Sequence, residues 1–278
     1  MALELLVPLL FGLVALGGVA VAAWGLFELR LAYRIYANEP VSVLETPRGG
    51  PVEVGGAVEP DREPLESPFT GTACVAYEYA VEEKRRKTRS TSTGAATRTT
   101  WETIDSGRAA VPFRIDDGSG SALVDPAGAD FRLSSEGAIR VRGGERPPEP
   151  IARFVRENED VPDENRSIGI GPLEFATGRD RRYRERRLDV GETAHVLGVA
   201  HFDTSAARAS GQVNAVIGAA DPPREAGLPG RLRHRLFGPP FLVSDASERR
   251  TALRVAARGL GALALGVVPA GFVLLVLL

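Results

Sequence analysis

The sequence predicts a mainly β protein with minor α content: a small curled antiparallel sheet, or a partly open, OB-like barrel, set between two transmembrane helices. Three observations carry that expectation. Leu5 to Phe27 and Gly259 to Leu278 are apolar runs with no charged residue inside. Thr72 to Glu82 (TACVAYEYAVE) alternates with period two, placing Val75, Tyr77, Tyr79 and Val81 on one face and Cys74, Ala76, Glu78 and Ala80 on the other. The rest of the middle is cut into short apolar stretches by Gly, Pro and Asp, with 31 glycines and 20 prolines in the chain.

The terminal runs hold 23 and 20 residues. As helices they reach about 34 and about 30 Å, enough for a hydrocarbon core of about 30 Å. Ala20-Val21-Ala22 resembles a signal-peptide cleavage site, but the first run is too long for one and Glu4 stands where a basic n-region belongs. Trp24, Tyr33 and Tyr36, with Arg30 and Arg34, form an interfacial belt. Residues 5–27 are therefore expected as the first span, 28–45 as a juxtamembrane linker, 46–244 as the β domain, 245–258 as a basic amphipathic helix and 259–278 as the second span. Arg30, Arg34, Arg249, Arg250, Arg254 and Arg258 all flank the spans on the domain side, and no Lys or Arg lies beyond either outer end. The positive-inside rule then gives a two-pass protein of the cell membrane with a cytoplasmic domain. Asn165-Arg166-Ser167 matches a glycosylation acceptor, a pattern too short to reverse that count.

Net charge is -2 and charged residues make up 25% of the chain, which fits a folded globular domain and not a basic nucleic-acid binder. The single cysteine, Cys74, excludes an internal disulfide and a cysteine-rich zinc module.

Along the chain, the polar stretch EEKRRKTRSTSTGAATR after the first strand reads as a solvated hairpin loop in preference to a phosphate patch, and Trp101 to Ile104 opens a second alternating segment. Val111 to Asp125 is a hairpin whose Asp-Asp-Gly-Ser-Gly turn permits positive φ. Asp116 and Asp117 there act as turn formers, since the regularly spaced oxygens of a calcium loop are missing. Pro150 to Glu159 is a short helix begun by proline, with Ile151, Phe154 and Val155 on one side. Further strands are expected at Ile168–Phe175, Tyr183–Leu188, Glu192–Phe202, Gln212–Ala219 and Phe241–Ser244. Gly55-Gly56 and Gly198 interrupt apolar strands and mark bulges or bends. Asp245, with Glu248 three residues on, reads as the cap of a helix running unbroken into the second span.

Catalytic chemistry is thin. Cys74 sits mid-strand with nothing local to activate it. His195, His201 and Asp203 share a strand face, but His234 is the only other histidine and a zinc site needs about four ligands.

The ordered segments SPFTGTACVAYEY, Trp101, VPFRIDDGSGSALVDP, GGERPPEPI, YRERRLDVGETAHVLGVAH and FLVSD resemble the GIDE or "beside a membrane" (BAM) domain of mitochondrial-type membrane-anchored E3 ubiquitin ligases. The resemblance covers most of Ser67 to Leu278. It implies a BAM-like fold whose turns and core involve Pro68, Gly71, Cys74, Pro112, Phe113, Asp116, Gly118, Gly120, Glu145, Arg146, Pro147, Gly191, Glu192 and Gly198. It also implies family-level RING-type ubiquitin transfer and a non-cytosolic domain. The RING finger that would follow the second span is missing, and local charge argues for the cytoplasm. The expectation is thus a non-enzymatic, membrane-anchored interaction or sensor module with no cofactor or metal. Its partners would be the lipid bilayer and another membrane protein or peptide, not nucleic acid. The alternatives are a ligase role with a RING from another chain, or nucleic-acid or lipid-headgroup binding by an OB-like barrel.

Overall fold

The computed structural model describes residues 2–37, 40–91, 94–134, 137–158, 161, 167–170, 173–176, 178–221, 227, 238–245 and 248–277. In chain order the elements are helix α1 (Ala2–Ala37), a 3-10 turn (Val43–Arg48), and strands β1 (Gly50–Pro60), β2 (Leu65–Glu66), β3 (Ala73–Thr91) and β4 (Gly94–Ala110). Next come β5 (Phe113–Asp116), β6 (Ser121–Val124), β7 (Asp130–Arg132), β8 (Ala138–Val141) and helix α2 (Glu149–Glu157). The remainder is β9 (Ser167–Ile170), β10 (Leu173–Ala176), β11 (Arg181–Asp189), β12 (Thr193–Phe202), β13 (Gln212–Gly218), β14 (Leu242–Ser244) and helix α3 (Glu248–Leu277).

The protein is mainly β, and its first sheet closes into a five-stranded barrel. Strands run β1-β5-β6-β13-β12, and β12 returns to β1 from Gly50↔Ala200 to Ala57↔Thr193. The expected partly open, antiparallel form is corrected on two counts: the ring is closed, and β13 pairs β6 in parallel. Closure removes the sheet edges that an open form would leave unpaired. It needs glycine where strands cross closely. A Cβ on Gly56 would collide with the Asp116 backbone, and one on Gly198 would meet the Gly218 carbonyl and the Phe241 ring at 3.0 Å. Val54, Val58, Phe113, Ile115, Val124, Val196 and Ile217 fill the interior and are almost fully buried.

A second sheet curls beside the barrel, with β2, β3, β11 and β8 in order and β4 also on β3. It is assembled from two separate stretches, β2–β4 and β8–β11, each inserted between barrel strands. The polar stretch expected as a loop is instead ladder. β3 and β4 pair from Ala76↔Ala110 to Thr91↔Gly94, and the threonines of both strands suit extended backbone. Likewise the single strand expected at Ile168–Phe175 is two, β9 and β10, paired antiparallel.

The expected linker is also revised. α1 continues to Ala37, and Val43 in the following turn is fully buried in the barrel core. The Asp245 carboxylate accepts from the Ser134 amide (2.6 Å) and hydroxyl (3.1 Å). α3 then runs unbroken from Glu248 to Leu277.

α1 and α3 pack along each other in opposite directions: a Cβ on Gly25 would meet Gly259 and Leu263, and one on Gly266 would meet Gly18 and Ala22. The covered positions Gly18, Ala22, Gly25 and Leu29 on α1 face Val255, Gly259, Ala262 and Gly266 on α3, a small-residue seam at alternating spacings of three and four. Outward, Leu13, Leu16, Val19, Leu260, Leu265 and Val268 stand exposed. Among the described residues one helix, over Phe11–Tyr33, is long and apolar enough to cross a membrane. The second expected span, 259–278, is not matched among them. The pair is seated on the barrel by Leu31, Ala32, Leu197, Leu242 and Val255, and by a 3.4 Å contact of Arg132 with Glu28.

Candidate functional site

The residues singled out by sequence fall into structural groups rather than one cleft. Pro68 and Gly71 lie in the turn between β2 and β3, Gly71 at φ 69°. That turn is clamped from β11: Glu185 accepts from the Phe69 amide at 3.0 Å and the Thr70 hydroxyl at 2.5 Å. Arg187 donates to Glu185 at 2.6 Å and grips Asp189 with two contacts at 2.9 and 3.0 Å. Glu185 and Arg187 are buried, so this chain of charges is held by mutual pairing. Cys74 is fully buried beside it. Burial, reinforced by Asp189, pushes its thiol up to about 11, which keeps the sulfur protonated and weakly nucleophilic.

Phe113 is fully buried at the start of β5, and the Pro112 carbonyl accepts from the Asp61 amide. In the β5–β6 turn, Asp116 accepts from the Gly118 amide at 2.7 Å, and Asp117 from Ser119 and, at 2.9 Å, from the Val43 amide. Burial raises the Asp117 pKa, but the Ser119 and Val43 hydrogen bonds outweigh it and hold the carboxyl below its ordinary value. Gly120 lies against the Gly211 carbonyl and Val213. Glu145 accepts from the Arg142 amide ahead of α2, and Arg146 and Pro147 lead into the helix. Gly191, at φ 83°, donates to the Val58 carbonyl at 2.7 Å, while Glu192 accepts from the Asp189 amide at 3.0 Å. All of these shape turns. Among the described residues no group of three His, Cys, Asp or Glu is placed to hold a metal. His234 and the pair Asn165-Arg166 lie outside the described residues.

The surface with unspent chemistry lies outside the motif residues: it is the open face of the curled sheet. The opposite face packs Phe69, Tyr79, Val81, Tyr183 and Val141 under Ile151 and Phe154 of α2. On the open face, register places Arg186 beside Glu78, Arg184 beside Ala80 and Arg182 beside Glu82. Arg140 on β8 opposes Arg182, and Arg108 on β4 opposes Glu78. Five arginines thus meet two glutamates. Glu82 pairs with Arg182, whose guanidinium also lies 4.5 Å over the Trp101 ring, and with Arg184 at 3.1 Å. Glu78 reaches Arg186 only at 3.7 Å. A cavity of about 460 Å³ opens here between Arg108, Arg184 and Arg186. The signal was legible in Arg-Arg-Tyr-Arg-Glu-Arg-Arg, where Arg182, Arg184 and Arg186 recur at period two.

The basic stretch Lys84–Arg86 lines another cavity of about 460 Å³, where Lys84 and Arg85 are tied to carboxylates. Lys84 pairs with Asp180 at 2.8 Å. Glu83 accepts from Arg179, Arg181 and Arg85. Burial raises the Glu83 pKa, and these three arginines overcome it and hold the carboxyl below the usual glutamate value.

No family model, no curated protein and no solved structure matches this chain.

Proposed function

We propose that this protein is a two-pass, membrane-anchored, non-enzymatic binding module of GIDE/BAM type, which presents the arginine-lined open face of its curled sheet to an acidic segment of another membrane protein. The observation that carries this reading is the surplus of cation over anion on a face backed by a packed core. A surface of that kind steers an acidic partner and fixes its register. The seam between α1 and α3, with apolar side chains outside it, supports both helices lying in the bilayer. The domain would face the cytoplasm because Arg30, Arg254 and Arg258 flank the helices on its side. The closed barrel is compatible with an OB-like reading, but it supplies no row of exposed stacking aromatics for nucleic acid, only Phe202 being prominently exposed on its described strands.

The test is site-specific photo-cross-linking in native membranes, with the probe at Ser106 on the open face or at Phe202 on the barrel. The expected result is a discrete adduct with a membrane protein from Ser106 only, abolished by the double substitution Arg184→Glu and Arg186→Glu. Equal adducts from both positions, or survival after charge reversal, would refute the reading.

A further inference from the structure

Where the open face meets α3 lies a further cavity, of about 470 Å³, in which arginines from three separate elements converge: Arg132 from β7, Arg186 from β11, and Arg254 and Arg258 one turn apart on α3. Their ion pairing is not equivalent. Arg132 is matched by Asp130 at 2.7 Å and by Glu28, and Arg186 leans toward Glu78, which also lines the cavity. Among the described residues no carboxylate pairs with Arg254 or Arg258, both exposed. Two full positive charges are therefore left in a concave, partly walled space, which is the condition for binding an anion that accepts several hydrogen bonds at once.

Position selects the kind of anion. Arg258 directly precedes Gly259, where the uncharged run begins, and Gly259 lies level with Gly25 of α1. Trp24 and Tyr33, both strongly exposed, bracket that level. Aromatic and arginine side chains together mark a headgroup layer. Phe131 and Val255 give the cavity an apolar wall that a bare ion would not use. Resting on the membrane-anchored reading above, we infer that this cavity binds a phosphate-bearing anion, presented by the headgroup of an anionic phospholipid, with Arg254 and Arg258 donating to the phosphate and Arg186 completing the site. The same four cations make the cavity a join between the sheet and the helix pair, so headgroup binding would tie domain orientation to lipid charge.

The test uses the full chain in dodecyl maltoside, which carries no phosphate, and reads the shift in melting temperature on titration with dioctanoyl phosphatidylglycerol or inorganic phosphate. Wild type is expected to be protected by the lipid, and the double substitution Arg254→Gln and Arg258→Gln to raise the half-saturating concentration about tenfold. Arg254→Lys with Arg258→Lys should retain most of the effect, and Arg208→Gln, far from the cavity, all of it. Protection by phosphatidylglycerol where equimolar phosphate gives none assigns a lipid source; equal protection assigns a free ion, and either result upholds the phosphate site. No protection by either, or undiminished protection of the Gln pair, overturns it. If carbonate extraction releases the protein from membranes, the anchoring reading fails. A protein that stays anchored but shows no protection loses only the headgroup site.

Discussion

The barrel and the curled sheet share a chain and a core boundary, yet they carry charge to different extents: the barrel buries Glu53 and the Arg114–Asp61 pair at 3.0 Å, whereas the sheet carries charge on both faces. In the barrel, inward positions such as Val54, Phe113, Ile115 and Ile217 are fully buried, and β12 pairs back onto β1. In the curled sheet, one face is buried under α2 while the other is a lattice of arginines with too few glutamates. Even the buried side carries ions, with Glu83, Glu185, Arg181 and Arg187 all nearly inaccessible. The barrel is thus stabilised mainly by apolar burial, and the sheet spends more of its stability on holding charge in place. A surface free to bind is found where the fold does not need the side chains.

That contrast predicts a graded series of effects. The largest is in the barrel: Phe113→Ala should cost about 3 to 5 kcal/mol in urea denaturation, through lost transfer energy and the cavity left behind. A loss below about 1 kcal/mol would mean the ring is not the stabilising unit. Next comes the buried ionic chain, where Glu185→Gln should cost about 2 to 3 kcal/mol, less than full loss of a buried pair because Asp189 still holds Arg187. Because the turn at Phe69 hangs on the same carboxylate, amide exchange there should accelerate together with the loss.

Acid sharpens the comparison further. Glu83 and Asp117 have folded pKa values below their ordinary ones, so the unfolded chain takes up protons first as pH falls. Their stabilisation is fully present above the unfolded carboxylate values of about 4 and is lost as pH drops through the lower folded values. Glu83→Gln should therefore flatten the stability profile below about pH 4 and leave its shape at neutral pH unchanged. A profile with the same acid slope as wild type would remove Glu83 from the account. The smallest effect is on the open face, where Arg184→Ala should shift stability by under about 0.5 kcal/mol, since its pairing to Glu82 is half-exposed. A large loss there would make the arginines structural and weaken the binding reading.

Much of this could be read from the residues. Alternation in TACVAYEYAVE located β3, the Asp-Asp-Gly-Ser-Gly turn located the β5–β6 hairpin, and the Pro-led segment located α2. The polar run after Glu82 was misjudged because solvated ribbons lack an apolar face, so period two has nothing to mark. β7 and β8 went unseen for a related reason: three- and four-residue strands take their identity from the neighbours they pair with.

What the sequence alone determined is which side chains share a face and which turns need glycine, because pleat, positive φ and close crossing are local demands on local residues. Gly71, Gly118 and Gly191 sit where φ is positive, and Arg182, Arg184 and Arg186 had to emerge together. Tertiary structure alone decided which of the two faces of β11 is covered. Its partner β3 comes from one distant stretch of chain and β8 with the lid α2 from another, and no local period records which side they take. The same long-range assembly closed the barrel through β1 and β12 and brought Arg186 to Arg254 and Arg258, residues whose proximity depends on how a helix packs and not on their spacing in the chain.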